Sequence, residues 1–171
     1  MFRIERIACA MPEDSSHLFR SSEMAIEPDW IDYNGHLNMA YYNVFFDRCI
    51  DEAFAQFGLG ADYVKERNAS FFTAEIHLCY LRELAAADTV HAELQLLDFD
   101  EKRAHVFQTL YHAGEGWVSA TQEQMSLHVD MGEKRVSPWP QDVAARIAAM
   151  HKAHSRHPRP ERAGRAIGIK R

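Results

Sequence analysis

The chain is short of the features that mark secreted, membrane-spanning or nucleic-acid-binding proteins. It has three cysteines in 171 residues, Cys9, Cys49 and Cys79, at no metal-ligand or redox spacing. An odd, scattered set of thiols reads as reduced side chains in a cytosolic protein. No apolar run approaches the roughly 20 residues needed to cross a bilayer. Arg3, Glu5 and Arg6 interrupt the first apolar residues, so no secretory leader is expected within Met1–Ser16. Positive charge is also scarce: the formal net charge of −6 argues against nucleic acid or anionic membrane as the main partner. There is no Gly-x-Ser-x-Gly to build a serine-hydrolase elbow and no glycine-rich phosphate loop. Internal repeats and low-complexity segments are missing as well.

What remains is an ordinary globular composition, 47% hydrophobic and 26% charged. It suits one domain over residues 1–153, followed by a basic tail over 154–171. Phe19–Glu27 is expected to be a strand ending at Pro28, and Pro28–Asn38 a loop. From there Leu37, Tyr41, Val44, Phe45, Cys49, Ala53 and Phe57 recur at steps of three and four. Tyr42, Phe46, Ile50 and Phe54 add a second stripe, so the helix is apolar around most of its circumference and should be buried. Asn38 is its expected N-cap and Gly58 its stop. Asn43, Asp47, Asp51 and Glu52 occupy the remaining, exposed side.

A short helix or turn over Ala61–Asn68 is followed by four strand-like segments, Ser70–Leu81, Thr89–Phe99, Lys102–His112 and Gly116–Val129. The later junctions are short enough for hairpins, so these strands should be antiparallel neighbours. Pro138–Ala153 reads as a helix with Val143, Ile147 and Met150 on one side. The tail carries Arg156, Arg159, Arg162, Arg165, Lys170 and Arg171 against one acid, Glu161. The order predicts an α+β fold in which a curled antiparallel sheet wraps one long central helix, with a C-terminal helix and an extended tail, which is the hotdog architecture.

The chemistry concentrates in Asp29-Trp30-Ile31-Asp32-Tyr33-Asn34-Gly35-His36-Leu37-Asn38, directly before the long helix. A helix N-terminus presents unpaired N–H groups and a partial positive charge, which can hold a developing oxyanion. Gly35 lets the backbone approach a substrate closely. Asp32, just upstream, would lie beside a carbonyl held there, ready to attack it or to activate a water. On turn chemistry alone, Asp32 and Asn34 could equally do no more than shape a loop that Asn38 caps.

Asp32-Tyr33-Asn34-Gly35-His36-Leu37-Asn38 followed by an aromatic-rich helix resembles the 4-hydroxybenzoyl-CoA thioesterase type of hotdog protein. The resemblance covers roughly residues 22–130. It implies Asp32 as the catalytic carboxylate, the Gly35 and His36 amides as oxyanion donors, and Tyr42 as the family's helix tyrosine. Trp30-Ile31-Asp32-Tyr33-Asn34-Gly35-His36, Phe72-Thr73-Ala74-Glu75-Ile76-His77, Glu123-Gln124-Met125-Ser126-Leu127-His128-Val129-Asp130 and Gly164-Arg165-Ala166-Ile167-Gly168 look like thioesterases of carnitine breakdown. Some of those are fused to a dehydrogenase, and this chain would be a stand-alone version.

The implied substrate is an acyl-CoA, in particular betainyl-CoA, with coenzyme A as part of the substrate and no separate cofactor. A quaternary ammonium donates no strong hydrogen bond, so sites for it use aromatic faces and sometimes a carboxylate. Trp30, Tyr33, Tyr41, Tyr42, Phe71, Phe72, Glu75 and Asn38 are the candidate substrate-binding residues. Arg82, Lys102, Arg103 and the tail are the candidate partners of the coenzyme phosphates.

Further expectations complete the reading. His151, His154 and His157 lack an accompanying Cys or acid, so no metal is expected there. Cys49 should be a packed thiol, and His128 a structural histidine. A sheet curled round one helix leaves an open edge that a second copy would cover, so a dimer or tetramer with the site at the subunit interface is expected. A non-catalytic acyl-CoA-binding protein of the same fold is the main alternative, and a dehydratase a weaker one, since only His36 is placed to serve it.

Overall fold

The structure is a computed structural model and describes residues 17–169. The readings of Met1–Ser16, Cys9, Lys170 and Arg171 lie outside those residues. The elements in chain order are β1 (Phe19–Arg20), β2 (Met24–Ala25), α1 (Met39–Ala55), α2 (Ala61–Arg67), β3 (Ala69–Tyr80), β4 (Thr89–Phe99), β5 (Arg103–His112), β6 (Val118–Asp130), β7 (Arg135–Val136) and α3 (Gln141–His154). One antiparallel sheet runs in the order β1-β4-β5-β6-β3, with β2 also on β4 and β7 on β6.

The sheet curls because its ladders slip. Irregularities fall between Thr73 and Glu75, between Leu96 and Asp98, and between Leu110 and Tyr111, and an extra residue on one strand bends it and increases its twist. The concave side carries Val90, Ala92, Leu94, Leu96, Ala104, Val106, Leu110 and Ala120, all buried. Against them packs α1, through Phe45, Phe46, Cys49, Ile50, Ala53 and Phe54. A curled antiparallel sheet around one hydrophobic helix is the hotdog architecture that the residue pattern predicts.

Local chemistry sets the element ends. The Asn38 side chain accepts from the Ala40 N–H at 3.0 Å, as an N-cap does. At the other end the helix tightens, with Gln56, Phe57 and Gly58 each donating to the third residue back. Gly58 then turns at φ +74°, and Arg146 of α3 donates to the Phe57 carbonyl at 2.7 Å. The positive φ favours glycine at 58, and a Cβ there would lie 2.6 Å from Arg146 Nη1 and displace that guanidinium.

Two boundaries differ from the expectation. The strand predicted over Phe19–Glu27 is two short pieces, because the Ser21 hydroxyl replaces a backbone carbonyl and accepts the Ala92 N–H at 3.0 Å. Helix α3 begins at Gln141, not Pro138, because Pro138 and Pro140 hold the residue before each of them extended.

Beyond β1, α3 covers the β4 edge: His154 Nδ1 accepts the Leu96 N–H at 2.8 Å. Among the described residues the tail has no helix or strand after His154, and it lies on the convex face. At the opposite end of the sheet β3 is the last strand, and nothing pairs with its outer side among the described residues. No helix of the described residues is long and apolar enough to cross a membrane.

Candidate active site

Asp32 sits at the head of a tight turn. An isolated bridge joins Ile31 to Leu37, the Asp32 N–H donates to the His36 carbonyl at 2.9 Å, and the Gly35 N–H donates to the Asp32 carbonyl at 3.0 Å. The turn needs a positive φ at its fourth residue, and Gly35 supplies it at +82°. Two bonds then fix the turn to the body of the protein. The Leu37 N–H donates to Leu84 O at 2.7 Å and the Asn38 N–H to Trp30 O at 2.9 Å. The segment is therefore rigid, and it delivers the chain directly into α1.

This geometry divides the functional groups. Asp32 Oδ1 accepts the Asn34 N–H at 2.8 Å, while Oδ2 has only a 3.5 Å approach from the Asn34 side chain. One carboxylate oxygen orients the group and the other is left for chemistry. Of the two amides expected to hold an oxyanion, Gly35 is spent inside the turn on the Asp32 carbonyl. The His36 N–H has no backbone acceptor among the described residues, so it is the amide open to a ligand. The His36 ring lies 3.7 Å from Glu83 Oε2, a long and exposed approach.

The expected aromatic candidates do not converge within one chain. Trp30 stacks on Tyr41 with ring centroids 5.1 Å apart and planes 9° from parallel, meets Phe45 edge-on, and lies 5.4 Å from the Arg48 guanidinium. Tyr41, Phe45 and Arg48 form one stripe of α1, so Trp30 pins the loop to the helix. Tyr33 is 97% exposed. Tyr42 is buried and edge-on to Tyr80, whose hydroxyl donates to Met39 O at 3.1 Å. Burial raises the Tyr42 phenol above its ordinary range.

Phe72 and Glu75 lie instead on β3, where two open clefts follow the seam between α1 and this edge strand. One, of about 660 Å³, is lined by Asp47, Asp51, Phe71, Phe72 and Thr73 with the start of α2. The other, of about 350 Å³, is lined by Asn43, Asp47, Thr73, Glu75, Ile76 and Gln124. Neither is lined by a lysine or arginine. Burial, and then the negative charge of Asp47, raise the Asp51 carboxyl above the usual carboxylate range. The i, i+4, i+8 spacing of Asn43, Asp47 and Asp51 is visible in the sequence, and reading it as a solvated face missed that it borders a cleft.

A polar chain under α1 escaped the sequence reading altogether. Gln122 donates to Asn43 Oδ1 at 2.7 Å and accepts from Gln108 at 3.1 Å, while Gln108 Oε1 is buried without a partner. Gln124 donates to Thr73 and to Ser126. The available signal was phase: these glutamines alternate in register with apolar residues of the concave face.

The remaining candidates have structural partners. Arg82 lies over the Trp117 ring at 3.9 Å, Arg103 pairs with Asp100, and Lys102 approaches Glu101 at 3.4 Å. Cys49 is buried, and that burial raises its thiol pKa far above the usual value. His128 accepts or donates at 2.7 Å with the Tyr63 hydroxyl and bonds to Ser137 on its other side. Among the described residues no three His, Cys, Asp or Glu side chains gather as metal ligands.

Residues 26–147 match the family model of the thioesterase-like superfamily. The chain is 38% identical over 154 residues to a betainyl-CoA thioesterase of Pseudomonas aeruginosa, covering 90% of this chain and 97% of that one. It is 34% identical over 152 residues, 89% of its length, to an L-carnitine dehydrogenase/betainyl-CoA thioesterase of a Rhizobium species, of which it spans 30%. Among solved structures, a Staphylococcus aureus protein in complex with CoA superposes with a TM-score of 0.84 at 28% identity, covering 91% of this chain and 97% of that one.

Proposed function

The chain belongs to the thioesterase-like superfamily, and from that membership we propose that it hydrolyses betainyl-CoA with Asp32 as the catalytic carboxylate. The reading rests on the split environment of that carboxylate: one oxygen tied to Asn34, the other open, on a rigid turn one residue-pair away from the unspent His36 amide. The thioester carbonyl accepts from the His36 N–H, and the positive end of α1 lies behind it. Asp32 supplies the attacking oxygen, its own or that of a water from which it takes a proton. The carbonyl carbon becomes tetrahedral, its oxygen carries the negative charge, and collapse breaks the C–S bond. Coenzyme A leaves as the thiolate and is protonated to the thiol by the proton released from water. If Asp32's own oxygen attacked, water then cleaves the mixed anhydride, releasing the acid and restoring the Asp32 carboxylate.

Preference for a cationic acyl group follows from the sign of the two clefts. Asp47 and Asp51 beside the Phe71 ring give an acidic lining with an aromatic face that suits a trimethylammonium and repels a carboxylate, with Phe72 and Glu75 at the strand rim. Of the aromatics expected around the cation, Trp30 and Tyr41 are stacked on each other, and the acyl end is assigned to the β3 side of the set. Asp32 lines neither cleft, so we take the working unit to be at least a dimer. A second copy paired along β3 would cover Phe72, Ile76 and Tyr80, which are 50%, 43% and 46% exposed.

The test is thiol release from a panel of betainyl-, acetyl-, hexanoyl-, palmitoyl- and benzoyl-CoA, with Asp32→Asn alongside. An asparagine keeps the acceptor for the Asn34 N–H, so the variant should fold normally. Turnover should fall by about 10² to 10⁴, with CoA-ester binding retained. Near-normal turnover by Asp32→Asn would remove the carboxylate from the mechanism. Binding without turnover in the unaltered chain would make it an acyl-CoA-binding protein.

A further inference from the structure

The tail takes a definite path. The Gln95 side chain on β4 approaches the Pro158 carbonyl at 3.4 Å. Six residues later the Gly164 N–H donates to both oxygens of Glu123 on β6, at 3.0 and 2.7 Å. Glu123 in turn bonds to His105 of β5 at 2.7 Å, with both side chains largely shielded. Arg165 and Ala166 then line a cleft with Glu75 and His77 of β3. The tail therefore crosses the convex face strand by strand, from β4 past β5 and β6 to β3, and its next step leaves the sheet.

What it carries past that edge is apolar. Ile167 is 91% exposed and Ile169 88% exposed, separated by Gly168, which puts both on one side of an extended segment. Two fully exposed isoleucines are unusual on a surface that buries most of its other large aliphatics. An extended run over residues 165–169 spans about 17 Å, and one strand spacing is about 4.8 Å. The segment is thus long enough to reach some 12 Å beyond β3, about the width of two more strands.

We propose that residues 165–169 form an arm that laps over the β3 edge and packs Ile167 and Ile169 onto the convex face of a second copy of this chain. The second copy offers a matching surface, because the same convex face presents Phe72, half exposed, beside Glu75 at its own β3 edge. With two-fold symmetry each copy gives one arm and receives one, so the contact closes on itself. The Gly164–Glu123–His105 bonds fix the arm's point of departure. The inference rests on the dimer part of the proposed function and is independent of Asp32.

The experiment is photo-cross-linking of the full chain with p-benzoylphenylalanine at position 167, using an equal mixture of light and 15N-labelled protein. Cross-links should join position 167 of one isotope to the β3 or β6 segment of the other. In parallel, Ile167→Glu with Ile169→Glu should raise the dimer dissociation constant in sedimentation at least tenfold, with an unchanged circular dichroism spectrum. Glu123→Ala, which frees the arm from its own sheet, should lower the cross-linking yield. Cross-links confined to single chains, or a double variant that dimerises as tightly as the original, would overturn the arm. A monomeric unaltered chain would overturn it together with the dimer, while leaving thiol release to judge Asp32 separately.

Discussion

Lowering the pH from 7 to 4 should destabilise this protein chiefly through His154. Its ring is 3% exposed at the end of α3, and its unprotonated Nδ1 accepts the Leu96 N–H at 2.8 Å. Burial, then the nearby charges of His157 and His151, lower its pKa from 6.5 to about 4. The folded state therefore binds fewer protons than the unfolded state between those two values. Stability is complete above the unfolded pKa of 6.5 and is lost as the pH falls toward 4.

A drop of about 2.5 units at 1.36 kcal/mol each gives about 3 kcal/mol, a large share of the 5–15 kcal/mol typical of a domain. His91 and His128 are also lowered by burial and should add to the same loss. The assay is the urea midpoint at half-unit steps from pH 7.5 to 4, compared with His154→Asn. An asparagine Oδ1 can stand where Nδ1 stands and does not titrate. The variant should be weaker at pH 7, for want of the ring, but should lose distinctly less on acidification. Parallel pH curves for the two proteins would refute the assignment.

Other perturbations test the polar chain and the turn. Gln122→Leu leaves the buried Gln108 with neither of its polar atoms bonded, so it should cost about 2–3 kcal/mol in chemical denaturation. Adding Gln108→Leu should recover at least a third of that loss. Gly35→Ala meets no neighbouring atom within 4 Å at its Cβ but must hold φ at +82°. It should therefore cost about 1 kcal/mol of stability from the backbone alone and a larger proportionate loss of kcat. Gly35→Asn, which tolerates that conformation better, should lie between the two proteins in both measurements.

The fold was legible where one periodicity runs long enough to be unambiguous. Helix α1 repeats its apolar residues over four turns, and β4 keeps one phase from Val90 to Leu96, so both emerge from the pattern with nearly their observed limits. Short elements carry no such signal. β1 and β2 are two residues each, and the hydroxyl of Ser21 that breaks the run between them looks in sequence like any exposed serine.

The candidate site divides along a similar line. Asp32 ahead of Asn34-Gly35 and an N-capping Asn38 can be found from composition, because the turn and the cap each demand particular residue types. Which amide remains open cannot. Gly35 and His36 differ only in where the turn directs their N–H groups, and the backbone spends the first on Asp32 itself. Aromatics mislead for the opposite reason: Trp30 and Tyr41 are close in sequence and in space, and that closeness satisfies each ring with the other. The acids that face a cleft, Asp47 and Asp51, stand on the helix side that amphipathicity assigns to solvent. That assignment holds for a single chain with β3 open. An edge strand of 12 residues, its outer side without a partner among the described residues, turns the helix's polar stripe from a solvated face into the wall of two acidic clefts.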